Sequence, residues 1–220
     1  MKYSLKDIHL EINALLQKYP SLGQIENTPK EIKITGQISI NRVVEDFHVV
    51  NDYMIQIVIP YSSDKLPIVF DIDEKLDRNY PHLYKNRALC LETDIVIYTY
   101  FKNSFNLVEW YEQFVEPYFV SYEYYMLYNC FIFGDRPHDV VGLISSYMDI
   151  FELQSIYPLI LILHFILSSK YRGHLLCPCN SGKKIRECHG VKMIEFYESK
   201  KMYCQLKEDF RQIYEFISKK

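Results

Sequence analysis

The chain opens with apolar residues at helical spacing. Apolar side chains recur every three or four positions from Leu5 to Tyr19, and Pro20 ends the run. Ser4, with Asp7 three positions later, fits the cap that begins a helix. Because this spacing places the apolar residues on one side, we predict an amphipathic helix here.

The hydrophobic period changes to two after Glu31. Alternating isoleucines mark two runs: Ile32, Ile34, Ile38 and Ile40, then Ile55, Ile57 and Ile59. This alternation is typical of strands, and residues 43–50 and 67–72 are further strand candidates. The turn-forming clusters Asn51-Asp52 and Ser62-Ser63-Asp64 separate these runs. We therefore predict an antiparallel meander of three or four strands.

The second half of the chain has mainly helical patterns. Residues 73–105 fit neither period, and we expect an irregular surface segment there. A capped helix is predicted from Asn106, and Pro117 is expected to restart or kink it. Three further helices are predicted, over residues 138–151, 155–171 and 193–217. The fold class is therefore α+β, with a first domain over residues 1–152 and a helical region over 153–220.

The composition predicts a compact cytoplasmic protein. The 220 residues are 49% hydrophobic and 24% charged, which excludes a disordered or collagen-like chain. The most apolar run covers twelve residues, 156–167, whereas a helix that crosses a bilayer needs roughly 20. The N-terminus lacks the apolar core of a signal peptide. We therefore expect neither export nor a membrane partner.

The charge is unevenly distributed. A net charge of −3 at pH 7 argues against a dedicated nucleic-acid-binding protein. Residues 183–220 nevertheless hold ten Lys/Arg and six Asp/Glu, whereas acidic residues predominate before them. We therefore expect the basic C-terminal region to contact an acidic partner.

A cluster of cysteines follows the predicted helix at 155–171. Three of the six cysteines lie within twelve residues, and a histidine comes next: Cys177, Cys179, Cys188 and His189. In a chain without an export signal, this spacing favours metal ligation over disulfides, although reduced cysteines that are close by chance are the alternative. The four ligands form a closed tetrahedral set suited to structural Zn²⁺.

This cluster, over about residues 175–190, resembles the SEC-C motif. That motif is a short zinc element at the carboxyl end of bacterial preprotein-translocase ATPases, and it is appended to many unrelated proteins. The family usually has Gly where this chain has Asn180, which also tolerates left-handed backbone. The resemblance implies a zinc ion that folds the segment. In the translocase the motif contacts an export chaperone and the ribosome.

The first domain carries a second resemblance. The order is a helix, a meander with the strand Tyr53 to Pro60, a loop that ends in Cys90-Leu91, and a helix with Trp110. Over residues 4–150 this order resembles ubiquitin-conjugating enzymes (the UBC fold), and it is closest to their divergent bacterial members. In those members a histidine lies eight residues before the Cys-Leu pair, as His82 does here. Their later Gly and His loop looks like Gly134, His138 and Gly142.

The second resemblance implies a thioester activity. Cys90 would accept a ubiquitin-like protein from an activating enzyme and pass it to an amine, in a bacterial conjugation pathway such as a defence system. In eukaryotic members, the Asn of a His-Pro-Asn triplet supplies the oxyanion donor. This chain lacks the triplet; His82 lies at the corresponding distance, and Asn86 or Asn79 is the substitute. The ubiquitin-like protein and its activating enzyme are the implied partners.

Other interpretations stay open. A cysteine between Leu89 and Leu91 is also the pattern of a small buried hydrophobe, which would make the protein a catalytically silent interaction module. His82 is alternatively a solvated loop residue, and His138 the start of a helix. In a third interpretation, the basic zinc region is the functional part and the first domain is its scaffold.

Neighbouring residues bear on the reactivity of the cysteines. Lys85 and Arg87 are close enough in sequence to Cys90 to favour its thiolate. Cys130 and Cys204 lie in predicted helical or aromatic segments, and we expect both to pack in the interior. Cys90 should then react with alkylating reagents faster than either of them.

Overall fold

The computed structural model describes residues 5–62, 65–134, 137 and 139–219. The chain forms two compact units: residues 1–92 with 103–135, and residues 93–102 with 136–220. Helices and an antiparallel sheet are both present, so the predicted α+β class is confirmed. The division comes earlier than the expected boundary after residue 152, because the helix that begins at Asp139 packs with the C-terminal helices.

The first unit contains the predicted meander. Strands β1 (Gln24–Asn27), β2 (Glu31–Val44), β3 (Phe47–Pro60) and β4 (Ile68–Asp71) form one antiparallel sheet in that order. The alternating isoleucines face the interior, since these are all nearly inaccessible: Ile32, Ile34, Ile38, Ile40, Ile55, Ile57 and Ile59. The period of two in the sequence therefore marks the buried face of the sheet.

The hairpin between β2 and β3 turns at a different place from the one predicted. Its register is unbroken from Glu31 opposite Pro60 to Val44 opposite Phe47, and Glu45 has the positive φ of the turn. The expectations of a separate strand at 43–50 and of a turn at Asn51-Asp52 are wrong. A continuous ladder with one buried face outweighs the local preference of Asn and Asp for turns.

Helices complete the first unit. Helix α1 (Leu5–Lys18) is confirmed, and its Ser4 cap lies outside the described residues. Helix α3 (Leu107–Trp110) continues through a π-helical turn (Tyr111–Val115) into α4 (Glu116–Tyr128). The predicted irregularity at Pro117 takes this form: the Glu116 N–H bonds the Tyr111 carbonyl five residues back, next to a proline that has no N–H.

The second unit is helical. It holds α2 (Asp94–Tyr100), α5 (Asp139–Ile150), α6 (Ile156–Ser168), α7 (Gly190–Glu198) and α8 (Lys200–Ser218). Helix α8 packs against α2, α5, α6 and α7 and so forms the centre of this unit. Among the described residues, no helix has both the length and the apolar content that a bilayer crossing requires.

Two expectations for the helical segments need correction. Residues 94–100 form a helix with Ile95 and Ile97 buried, so the segment 73–105 is not irregular throughout. The helix predicted at 193–217 is two helices, because the Ser199 hydroxyl accepts a hydrogen bond from the Met202 N–H and begins a new one.

Candidate metal centre and thiol site

The four residues of the cysteine cluster meet in space. Each of Cys177, Cys179, Cys188 and His189 offers one ligand atom, and all four atoms lie within 4.8 Å of one another. The Sγ atoms of Cys179 and Cys188 are 3.5 Å apart, and His189 Nδ1 lies 3.2 Å from Cys188 Sγ. Tetrahedral ligands with a Zn–S bond of about 2.3 Å are separated by about 3.8 Å. The cluster can therefore hold a metal ion.

A tight turn brings the first two thiols back towards the third. The Cys177 N–H donates to the Lys183 carbonyl over 2.8 Å, which closes the loop between them. Within the loop, Asn180 and Gly182 have φ values of 64° and 75°, the left-handed region that Asn and Gly tolerate best. Asn180, where the SEC-C family usually has Gly, therefore adopts a conformation that glycine also allows.

The second ligand pair is fixed by the start of α7. A 3₁₀ turn (Ile185–Glu187) leads into Cys188, and the Ile185 side chain is fully buried beneath it. A Cβ atom on Gly190 would lie 2.6 Å from the Ile185 carbonyl oxygen, so a side chain at position 190 would push the turn away. Glycine at position 190 thus lets the turn pack closely against the start of α7, where the adjacent residues Cys188 and His189 both reach the cluster.

Burial and hydrogen bonds together set the protonation of the cluster residues. Burial raises the pKa of the Cys177 thiol to about 12. Burial also opposes ionisation of Cys179, but hydrogen bonds from Ser181 and from the neighbouring thiols outweigh it, so its pKa is lowered. The pKa of His189 is lowered by burial, which favours the neutral imidazole that metals bind. The buried Cys177 thiol ionises readily only when a cation stabilises the thiolate. Metal binding is therefore expected to release its proton.

Outer contacts orient the ligands. The His189 ring hydrogen-bonds the backbone of Phe151, and its Nδ1 atom faces the thiols. A histidine that binds metal through one nitrogen commonly donates its other N–H to a carbonyl in this way. The Ser181 hydroxyl lies 3.4 Å from Cys188 Sγ. Sequence spacing alone grouped the four residues of the cluster, but it did not indicate Phe151, which is distant along the chain.

The predicted thiol lies in a folded loop of the first unit. Leu83 and Leu89 form an antiparallel bridge, and beside it the Cys90 N–H donates to the His82 carbonyl over 2.8 Å. The Tyr118 hydroxyl donates to the same carbonyl over 3.1 Å. Cys90 is half-buried. The structure therefore brings the backbones of His82 and Cys90 together, across the eight positions that separate them.

The side chains predicted to assist Cys90 have other contacts. The His82 ring meets the edge of Phe131, with centroids 4.9 Å apart. The Asn86 side-chain oxygen accepts a hydrogen bond from the Ala88 N–H, so it shapes the turn of the loop. Asn79 is exposed, and its N–H donates to the Asp77 side chain. His138 is outside the described residues.

Three expectations about the reactivity of the cysteines need correction. The Arg87 guanidinium pairs with the buried carboxylate of Asp71, so its charge is already balanced there. Cys130 and Cys204 are exposed, which contradicts the expectation that both pack in the interior. Cys130 follows Asn129, whose left-handed conformation ends α4 and turns the chain outward. A comparison of alkylation rates therefore has to remove these two thiols first.

The sequence also gave no signal for a charged pocket of the first unit. This pocket encloses about 600 Å³ beside the π-helical turn. In its lining, the buried Glu116 accepts hydrogen bonds from the Tyr19 hydroxyl and from Arg42, while Lys18 pairs with Glu112. These residues come from the end of α1, from β2, and from the π-helical turn and the start of α4. Only the folded chain brings them together.

No family model, no curated protein and no solved structure matches the chain.

Proposed function

We propose that this chain is a ubiquitin-conjugating-enzyme-like protein that carries a ubiquitin-like protein as a thioester on Cys90. The observation that carries the proposal is the position of Cys90, half-buried beside His82 in a loop that follows a four-stranded antiparallel meander. A helix precedes the meander, and α3 and α4 follow the loop within the same unit. This is the element order of the family that the sequence resembles.

The proposed chemistry is two successive acyl transfers. The Cys90 thiolate attacks the thioester that joins the ubiquitin-like protein to its activating enzyme; a new S–C bond forms, the old S–C bond breaks, and the activating enzyme's cysteine leaves as a thiolate. An amine then attacks the Cys90 thioester, an amide bond forms, the amine loses a proton, and Cys90 leaves as a thiolate. His82 is the proposed proton acceptor or oxyanion donor, and the Asn86 amide NH₂ is the second candidate donor.

We further propose that the metal is zinc and that it is structural. Three sulfurs and one imidazole nitrogen match the closed ligand sets of structural zinc sites. The segment between Gly173 and Gly190 has few buried side chains of its own, chiefly Cys177 and Ile185. Bonds between the metal and its four ligands would supply the folding free energy that these few buried side chains cannot provide.

An adduct assay tests the proposed activity. In a Cys130→Ser/Cys204→Ser background, Cys90 is the single cysteine outside the metal cluster. With ATP, an activating enzyme and the ubiquitin-like protein that this enzyme activates, the protein should form an adduct that thiols cleave. Cys90→Ser should form at most a thiol-resistant ester, and Cys90→Ala should form none. A thiol-sensitive adduct that persists in Cys90→Ala would refute the role of Cys90.

A catalytically silent binding module is the second candidate function. It is favoured by the pairing of Arg87 with Asp71, which leaves Cys90 without that cation to stabilise its thiolate. A complex with the ubiquitin-like protein that survives Cys90→Ala, with no adduct in the parent protein, would support the binding module over the transferase.

The surface of the metal loop suits an acidic partner. Lys183, Lys184 and Arg186 are exposed around the turn that carries the ligands, and Arg172 is exposed beside them. We propose that this basic surface binds an acidic segment of another protein. Charge complementarity of this kind would increase the association rate and make it dependent on salt concentration.

A further inference from the structure

Arg87 has an unusual conformation three residues before Cys90. Its φ is 69°, in the left-handed region that side chains other than those of Gly, Asn and Asp seldom adopt. A residue keeps such a conformation when surrounding contacts hold it there. In this loop, those contacts join the thiol segment to two other parts of the first unit.

The first set of contacts binds Arg87 to the end of β4. Its guanidinium pairs with Asp71, which is 2% exposed, and its carbonyl accepts a hydrogen bond from the Asp71 N–H over 3.0 Å. Two residues on, the Leu89 N–H donates to the Val69 carbonyl over 2.8 Å. Side chain and backbone therefore attach the same short stretch of loop to the sheet.

The second set of contacts reaches the segment after the sheet. The Arg87 guanidinium donates to the Leu76 carbonyl over 3.0 Å, and the Leu76 N–H donates to Asp71 Oδ2 over 3.1 Å. Arg87 and Asp71 thus hold both backbone groups of Leu76. One buried ion pair links three segments of chain, and the thiol is at the end of one of them.

We propose that Arg87 is a positioning residue for Cys90. It fixes the path of the loop between His82 and Cys90, so that the thiol stays half-buried at one place beside the His82 backbone. The effect on transfer rests on the proposed function, whereas the effect on the thiol's position does not. Arg87 acts through the loop and not by direct contact with the reacting atoms.

The chemistry of the pair explains why a cation is needed at position 87. Burial raises the pKa of the Asp71 carboxyl and Asp73 adds to the rise, whereas the Leu76 N–H and Arg87 favour the charged form. Without Arg87, this carboxyl would take up a proton more readily and lose its ion-pair partner. A lysine would restore the charge, but it has a shorter side chain, whereas Arg87 reaches both Asp71 and the Leu76 carbonyl with the one nitrogen Nη2.

The test compares Arg87 variants in the Cys130→Ser/Cys204→Ser background of the whole chain. Arg87→Ala removes the guanidinium, Arg87→Gly also relaxes the backbone, and Arg87→Lys keeps the charge. The control is Arg42→Ala, which breaks an ion pair between the half-exposed Arg42 and the buried Glu116, elsewhere in the same unit. Three quantities are measured: the rate of N-ethylmaleimide addition to Cys90, the rate of adduct formation, and the thermal midpoint.

Arg87→Ala and Arg87→Gly should form the adduct about 10²-fold more slowly, the typical cost of a displacement near 1 Å at a reacting atom. Both should react with N-ethylmaleimide several-fold faster, because the released thiol is more exposed. Arg87→Lys should be intermediate in both assays. Arg42→Ala should keep both rates within about twofold of the parent's, even if its thermal midpoint falls as far as that of Arg87→Ala.

Two outcomes would overturn the proposal. In the first, Arg87→Ala, or Arg87→Lys if the alanine variant does not fold, keeps both rates within about twofold of the parent. In the second, Arg42→Ala shifts both rates as far as Arg87→Ala does, which would show general destabilisation. If the parent forms no adduct, the proposed function fails, and the N-ethylmaleimide rates alone still decide whether Arg87 positions Cys90.

Discussion

Asp209 shows how one buried carboxyl can make stability depend on pH. It is 2% exposed, it accepts hydrogen bonds from the Tyr147 hydroxyl and from Gln205, both over 2.8 Å, and burial raises its pKa from 3.8 to about 6. The nearby acids Asp94 and Glu208 add to the rise. The folded chain therefore holds this proton more tightly than the unfolded chain does.

Asp209→Asn should consequently change the pH dependence of unfolding. The stabilisation from the neutral carboxyl is complete below about pH 3.8 and is lost as the pH rises through about 6, whereas Asn stays neutral throughout. Between pH 4 and 7, the unfolding free energy of the variant should rise relative to the parent by up to about 3 kcal/mol. Urea titrations at several pH values measure this difference. A difference that stays flat over that range would contradict the prediction.

Residue-level prediction succeeded where partners are close in sequence. The four residues of the cysteine cluster lie within thirteen positions, so their spacing alone sufficed to group them. Asp71 and Arg87 are sixteen positions apart and meet only because the loop bridges back to β4. Hydrophobic periodicity does not indicate that the loop folds back against β4. The ion pair therefore could not be predicted before the fold was known.

At the scale of elements, Gly36 shows how closely β2 approaches the chain that follows α1. A Cβ atom at position 36 would lie 2.0 Å from the Ser21 carbonyl oxygen and 2.6 Å from Leu22 Cα, both of them backbone atoms. Such atoms cannot rotate away as the end of a side chain can. Glycine is therefore required in the middle of a strand whose other inward positions are isoleucines.

Gly36→Ala should destabilise the first unit by about 3 kcal/mol, because the strand or the turn has to shift to admit the methyl group. Gly23→Ala is the matched control: the nearest atom to its Cβ is the Pro20 carbonyl oxygen at 3.5 Å, an ordinary contact. The control should change stability by less than about 0.5 kcal/mol. Urea midpoints compare the two variants, and equal losses would refute the close approach.

Patterns predicted whole elements better than their ends. Period two identified the meander because β2 and β3 each bury one face. The hairpin turn was misplaced, since the Asn51-Asp52 pair favours a turn locally but lies inside the ladder. Helix α2 was missed because seven residues are too few to show a clear helical period. At the hairpin, strand pairing outweighs the local preference of Asn and Asp for turns. At α2, the helical pattern is too short to be recognised.

At the scale of the whole molecule, the two units have separate cores. The proposed zinc belongs to the second unit, where Met193 and Phe196 of α7 are fully buried next to the ligand segment. The sheet and its isoleucines belong to the first. Loss of the metal should therefore affect the two units unequally.

One zinc ion per chain should copurify, and its removal by a chelator should expose the backbone of residues 171–198 to hydrogen exchange. A structural zinc contributes on the order of 10 kcal/mol to local folding, so protection there should be lost while β2 and β3 keep theirs. Cys188→Ser should reproduce the effect, and Cys204→Ser, an exposed thiol outside the cluster, should not. Stoichiometric zinc in the Cys188→Ser protein would contradict the assignment.

The chain passes from the first unit to the second at residue 93, returns at 103, and leaves again after residue 135. No single cut can release either unit intact, because α2 belongs to the second unit and is flanked by segments of the first. A fragment that starts after residue 135 would lack α2 and expose the surface of α8 on which α2 packs. During synthesis, α2 leaves the ribosome long before α8 and has to wait for the partner that completes its unit.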